Sequence, residues 1–297
     1  MNDYKQESIF IEKDNYELHL KRMYKENSEA VVFMLHGSIE NGRIFYSNNG
    51  KGLAPFLAQN GFDVFIADLR GRGESKPHIN KNSDFGQYET INNDLPDFIN
   101  KIIEISGNKP QHWIGHSWGG VLLASIFSKF PEYQPLVKSM IFFGTKRVIS
   151  VFNLEKILKI NIVWNIWSKI LIKKYGYLPA KKMGFGSDDE TEKSYTETDF
   201  WVRGNKWLDP VDAFNYEENI KDFPPLLSLT GKKDKSLGHP IDVENFIKEV
   251  KPKIYEFKIL GKNTGFKEDY DHINILTHKS SNEDHFKIIL KWLNKYN

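Results

Sequence analysis

Cysteine is absent from this chain of 297 residues. Its absence excludes disulfide bonds, thiolate metal ligands and a cysteine nucleophile. The N-terminal residues also lack a basic stretch followed by an apolar stretch and a small-residue cleavage site, so no signal peptide is predicted. Because both absences fit a reducing compartment, we expect a cytoplasmic protein.

Long apolar runs and an excess of one charge are also missing. The most apolar stretch, residues 157–172, is interrupted by lysines and asparagines, whereas a transmembrane helix needs about 18 apolar residues. The 41 Lys and Arg residues nearly balance the 39 Asp and Glu residues, which gives no reason to expect nucleic acid as a partner. No metal-ligand cluster and no glycine-rich phosphate loop is visible, so no metal or other cofactor is predicted.

The chain does contain alternating strand and helix patterns. Short apolar runs bounded by polar residues predict buried strands, and segments with helical spacing follow most of them. This alternation predicts an α/β protein with a mostly parallel sheet and helices on both faces. The predicted strands are 8–13, 16–23, 30–35, 63–67, 111–114, 137–143, 225–229 and 253–260, and the predicted helices are 51–60, 89–105, 121–130, 241–250 and 283–296.

The alternation stops after Gly144 and resumes near residue 225. Between them we expect helices and loops without a buried strand. The predicted organisation is therefore a core formed by residues 1–146 and 221–297, with residues 147–220 as an insertion.

The clearest chemical signal is the sequence Gly115-His116-Ser117-Trp118-Gly119, a G-x-S-x-G motif. A predicted strand ends just before it and a predicted helix follows. Gly115 and Gly119 allow a tight turn that lifts the Ser117 hydroxyl above the strand ends, and the helix N-terminus favours developing negative charge there. Ser117 is thus a candidate nucleophile.

This motif and several other segments resemble the α/β-hydrolase family. His36-Gly37-Ser38 is similar to the family's loop after its early strand, and residues 68–75 are similar to its D-x-R-G-x-G-x-S turn. The resemblance implies that the backbone N–H groups of Ser38 and Trp118 form an oxyanion hole. We expect His36 to brace its loop and the 68–75 turn to be architectural.

The family's chain order implies an acid and then a histidine after Ser117. Asp234 follows a predicted strand in a Gly-x-x-Asp pattern, and His272 lies between the last predicted strand and the last helix. We therefore expect Asp234 to orient His272, the general base. His278 is the alternative base, and His285 is expected at the surface of the last helix.

The insertion is rich in aromatic residues and has a broad apolar surface between residues 153 and 174. In the family such insertions form a cap over the active site. Three interpretations stay open: the apolar residues line an acyl pocket, they form the insertion's own core, or they attach it to a membrane surface beside several lysines.

The resemblance implies a serine hydrolase that cleaves a carboxylic ester with an apolar acyl group, like a lipase or esterase, through an acyl-enzyme. A thioesterase or acyltransferase would use the same residues on an ester or thioester. The alternative from another class is a catalytically silent binding module.

Overall fold

The computed structural model describes residues 3–297, and the chain forms one large sheet and one small sheet there. The strands are β1 (Lys5–Glu12), β2 (Glu17–Tyr24), β3 (Val31–Leu35), β4 (Asp63–Asp68), β5 (Gln111–His116), β6 (Val137–Phe143), β7 (Tyr177–Leu178), β8 (Glu190–Thr191), β9 (Leu226–Gly231) and β10 (Tyr255–Leu260).

Most helices lie in the connections between these strands, and the last two follow β10. They are α1 (Leu53–Gln59), α2 (Gln87–Glu89), α3 (Leu95–Ser106), α4 (Trp118–Lys129), α5 (Leu154–Lys156), α6 (Ser168–Tyr175), α7 (Ala180–Met183), α8 (Glu192–Val202), α9 (Tyr216–Asn219), α10 (Pro240–Val250), α11 (Asn274–Thr277) and α12 (Phe286–Tyr296). Wider π-type turns, Thr90–Asp94 and Ile157–Trp167, join α2 to α3 and α5 to α6.

The large sheet confirms the predicted fold class. Its eight strands follow the order β1-β2-β4-β3-β5-β6-β9-β10. The first two are antiparallel to their neighbours, and β4, β3, β5, β6, β9 and β10 are parallel. The carboxyl ends of these six strands therefore lie along one edge of the sheet, where ligands bind in open α/β sheets.

Both faces of the sheet are buried. Along β3, Val31, Phe33 and Leu35 belong to one apolar cluster, and the intervening Val32 and Met34 belong to the other. This alternation is the period of two expected of a strand, here with helices on both sides.

The expectation that the insertion has no buried strand is wrong. Strands β7 and β8 pair antiparallel, with Tyr177 opposite Thr191 and Leu178 opposite Glu190, and three of these four residues are buried. Each strand has only two residues, which is too short for a period-two pattern to be recognised.

The insertion has its own apolar cluster, which contains Leu171, Ile172, Leu178 and Tyr195. Within residues 3–297, no helix is long and apolar enough to cross a membrane.

Candidate active site

Ser117 lies on a sharp bend between β5 and α4. Its φ of 51° and ψ of −120° place a non-glycine residue at positive φ, a strained conformation that persists only where the surroundings enforce it. Its backbone N–H donates to the Phe143 carbonyl on β6 at 2.8 Å. The bend therefore projects the hydroxyl beyond the sheet edge.

Two glycines make this bend possible because helix α4 lies very close to the strands. A Cβ on Gly119 would lie 2.3 Å from the Leu35 carbonyl oxygen, and one on Gly115 would lie 2.5 Å from the Gly120 backbone. These contacts are with backbone atoms, which cannot move aside as a flexible side chain can. Their close packing brings the start of α4 against the end of β3.

The structure brings the three predicted side chains into one hydrogen-bonded chain. His272 Nε2 lies 2.9 Å from Ser117 Oγ, and His272 Nδ1 lies 2.5 Å from Asp234 Oδ2. All three residues are buried. With the proton on Nδ1 donated to the carboxylate, Nε2 has a lone pair that can accept the serine proton.

Asp234 lies in the loop after β9 and is buried despite the lysines around it in sequence. Burial alone would raise the pKa of its carboxyl. The charge and hydrogen bond of His272 outweigh that effect, together with the Gly238 N–H and the charge of Lys146, and lower the pKa to about 2. Asp234 is therefore a carboxylate throughout the neutral range.

The long connection between β10 and His272 is anchored to the sheet. The Lys233 N–H donates to the Tyr270 carbonyl at 2.8 Å, and the Tyr270 ring is fully buried in one of the two core clusters. Asp271 accepts backbone N–H groups from Ile273 and Asn274, so it stabilises the following turn.

The loop after β3 lies directly against the bend that carries Ser117. A Cβ on Gly37 would lie 2.9 Å from the Ser117 Cβ. His36 Nδ1–H donates to the Gly37 carbonyl at 2.8 Å, while the Leu69 N–H donates to its Nε2 at 3.1 Å. Burial and the nearby Arg72 lower the pKa of His36, so it braces the loop as a neutral ring.

Ser38 and Trp118 line the same small cavity beside this loop. Trp118 begins α4, so its N–H has no acceptor within the helix, and the Ser38 N–H has no backbone acceptor within residues 3–297. Two unpaired donors next to Ser117 form an arrangement able to receive an oxyanion.

The sequence did not single out Glu40 and gave His116 no role of its own. Here His116 Nδ1 lies 2.7 Å from Glu40 Oε2, and His116 Nε2 lies 2.9 Å from the carbonyl oxygen of His272. Glu40 lies 76 residues from His116 in sequence, and no local pattern marks such a pair.

The insertion packs over this edge of the sheet through polar contacts. Glu190 of β8 pairs with Arg72, both almost fully buried. Asp188 accepts from Asn41 and from the Gly73 N–H, each at 2.7 Å. The cavity beside Ser38 is small, and the polar side chains that line it include Arg72, Gln87, Thr90, Glu190 and Ser194.

A larger cavity of about 260 Å³ lies at the outer strands β1 and β2, and none of Ser117, Asp234 and His272 lines it. It is therefore separate from the hydrogen-bonded chain.

Two other histidines differ from the base candidate. The prediction that His285 is a surface residue is wrong: it is fully buried just before α12, and its Nε2 donates to the Ile275 carbonyl at 2.6 Å. The helix starts three residues later than predicted, so this position faces the core. His278 accepts the Ser280 N–H at 3.2 Å and holds that turn.

Across the described residues 3–297, no group of side chains is arranged to hold a metal ion.

Comparison with known proteins identifies relatives of this fold. A family model described as the alpha/beta hydrolase fold matches residues 30–170. Lipase member K of Mus musculus is 32% identical over 134 residues, which is 43% of this chain and 33% of that protein. Gastric triacylglycerol lipase of Rattus norvegicus is 28% identical over 189 residues, 59% of this chain and 47% of that protein. The chain thus spans between a third and a half of the length of these curated relatives.

Among solved structures, a soluble variant of monoglyceride lipase from Saccharomyces cerevisiae, in complex with a substrate analogue, has a TM-score of 0.69 at 21% identity. The match covers 99% of this chain and 95% of that one. The strand order, the matching family model and this full-length likeness together show that the chain has the α/β-hydrolase fold.

Proposed function

We propose that this protein is a serine hydrolase that cleaves a carboxylic ester. The observation that carries the proposal is the hydrogen-bonded chain from Ser117 Oγ through the His272 ring to the Asp234 carboxylate. A buried nucleophile, base and orienting acid in this order form the arrangement that acyl transfer to serine requires. The lipases among the relatives support this reaction class.

In the first half of the reaction, His272 Nε2 takes the Ser117 proton as Oγ attacks the carbonyl carbon. The carbonyl oxygen becomes an oxyanion, which the N–H groups of Ser38 and Trp118 and the N-terminus of α4 stabilise. The imidazolium is stabilised by Asp234. The intermediate then collapses, the C–O bond breaks, and Nε2–H protonates the departing alcohol.

In the second half, water attacks the acyl-enzyme. His272 takes a proton from the water, the same donors stabilise the second oxyanion, and the carboxylic acid leaves as Ser117 Oγ regains its proton. Each step uses side chains and N–H groups of this chain alone.

The proposed substrate has an apolar acyl group, and the insertion has to move for it to bind. The cavity beside Ser38 and Trp118 is too small for an alkyl chain. The Arg72–Glu190 pair closes it from the side of the insertion. Separation of β8 from Arg72 would open the sheet edge next to Ser117.

The exposed face of the insertion supports contact with a lipid surface. Large apolar side chains remain in solvent between residues 152 and 170, among them Phe152 at 79% and Trp167 at 47% exposure. Lys159 and Lys169 are about half exposed along the same stretch. Apolar side chains flanked by lysines are typical of helices that lie at the surface of anionic membranes.

The test combines labelling with turnover. We expect a fluorophosphonate to label Ser117, and p-nitrophenyl esters of increasing acyl length to release p-nitrophenol. Ser117→Ala should abolish both signals. Ser125→Ala should retain both, since Ser125 is a buried serine within α4 whose hydroxyl donates to the Val121 carbonyl.

Comparison of oxygen esters with acyl-CoA substrates, with and without alcohol acceptors, separates an esterase from a thioesterase or an acyltransferase. Absence of labelling and of turnover with every substrate would reject the proposal and favour a binding module.

A further inference from the structure

A second buried histidine–carboxylate pair lies directly behind His272. Glu40 and His116 are almost fully enclosed, and the His116 and His272 ring centroids are 4.8 Å apart. The pair takes no part in the proton transfers described above, so its burial calls for a separate explanation.

The partners of His116 determine its protonation. Its Nδ1 faces the Glu40 carboxylate and its Nε2 faces the His272 carbonyl oxygen, and both are acceptors. Beside an ionised Glu40, a neutral imidazole, which has only one N–H, would leave one of these contacts between two lone pairs. Both contacts are satisfied when His116 is an imidazolium and Glu40 is a carboxylate.

The electrostatics agree with this assignment. Burial alone would raise the pKa of Glu40 and lower that of His116, but their mutual attraction outweighs burial, so the pKa of Glu40 is lowered and that of His116 is raised. The other charged groups that act on the pair are Asp234, His272 and Lys146.

The pair connects three parts of the site. Glu40 Oε2 accepts the Gly37 N–H at 3.0 Å as well as the His116 proton, so it holds the loop that carries Ser38. His116 directly precedes Ser117, and it holds the backbone of His272. Displacing any of these parts changes the distance between nucleophile, base and oxyanion donors.

We propose that Glu40 and His116 form a buried ion pair that positions the His272 backbone and the Gly37–Ser38 loop relative to Ser117. Both are positioning residues, since neither touches the reacting atoms. The inference rests on the proposed function for its kinetic consequences but not for its protonation state.

Glu40→Gln tests the ion pair with almost no change of shape. An amide oxygen can still accept from Gly37, but it cannot balance a buried imidazolium, so His116 loses a proton and one of its two contacts. We expect kcat per labelled site to fall by about tenfold to a hundredfold, since small misplacements at reacting groups cost that much. KM should change less than about twofold, because the groups that bind substrate remain.

The matched control is a third buried histidine–carboxylate pair, which lies between β2 and β4. His19 Nδ1 lies 2.7 Å from Asp68 Oδ2, and both side chains are buried. We expect His116→Gln and His19→Gln each to lower the melting temperature, but only His116→Gln to lower kcat per labelled site. A similar loss of kcat in His19→Gln, or an unchanged kcat in Glu40→Gln, would overturn the proposal.

Protonation is measured without any substrate. In wild-type protein with ¹⁵N-labelled histidine, both ring nitrogens of His116 should carry protons at pH 7, and Glu40→Gln should remove one of them. A neutral His116 in the wild type would refute the ion pair. If wild-type protein neither turns over esters nor reacts with fluorophosphonate, the proposed function fails while this measurement still decides the charge state.

Discussion

Replacement of Asp234 by Asn is the sharpest test of how the His272 ring is oriented. Asp234 Oδ2 lies 2.5 Å from His272 Nδ1, and the Gly238 N–H also bonds to this carboxylate. In Asp234→Asn, an NH₂ group in the place of Oδ2 would donate to Nδ1. The ring then has to carry its proton on Nε2, where it points at Ser117 Oγ and cannot accept the serine proton.

The magnitude follows from this change of tautomer. Loss of the orienting carboxylate with the geometry intact lowers kcat by about 10⁴ in serine hydrolases. At about 1.4 kcal/mol per tenfold, this is about 5.5 kcal/mol of transition-state stabilisation. The substitution is isosteric, so the fold is expected to remain.

The assay is p-nitrophenyl ester hydrolysis at pH 7, with circular dichroism to confirm folding. Asp271→Asn is the matched control, because Asp271 adjoins His272 in sequence but accepts only backbone N–H groups of the following turn. It should retain kcat within about twofold, since the base is untouched. An Asp234→Asn protein with more than about a tenth of wild-type kcat would refute the reasoning about the tautomer.

Three further results are expected. Gly119→Ala should lower the free energy of unfolding by about 3 kcal/mol in urea titrations, because its Cβ would overlap the Leu35 and His36 carbonyls; wild-type stability would contradict this. Burial lowers the pKa of His285 to about 4, so the neutral ring favours the folded state above pH 6.5, and this stabilisation is lost as the pH falls towards 4. Between pH 7 and pH 5 the free energy of unfolding should fall by about 2 kcal/mol from this group. This pH-dependent loss should be absent in His285→Gln. Trp167→Ser should weaken binding to anionic vesicles about tenfold, and unchanged binding would argue against the lipid-surface contact.

Much of the fold could be predicted from local patterns. The apolar run of β3 and the helical spacing around α3 are confirmed, although the helix continues from Gln87 to Ser106 through a π-type turn. Helix α4 starts at Trp118 rather than at residue 121. Gly119 and Gly120 weaken the helical pattern there, but Gly119 is needed for the close approach to the Leu35 carbonyl of β3, and Gly120 for the close approach to Thr145. Boundaries of this kind depend on tertiary contacts.

In the candidate site, too, some features follow from local sequence patterns and others depend on tertiary contacts. Ser117, Asp234 and His272 could be selected because each follows a strand in a recognisable order, and parallel strands bring their carboxyl ends to one edge. The lysines next to Asp234 in sequence would by themselves favour a solvated side chain, but the packing of the loop 234–238 against Gly144 buries it.

By itself, the sequence determined the succession of strands and helices in the large sheet, the tight bend at Ser117 and the three side chains proposed for catalysis, because periodicity and turn residues act over a few neighbours. Only the tertiary structure decided the Glu40–His116 pair, the burial of His285 and the pairing of β7 with β8. These contacts depend on how distant segments pack, and hydrogen bonding between buried groups is set by the three-dimensional surroundings rather than by sequence spacing.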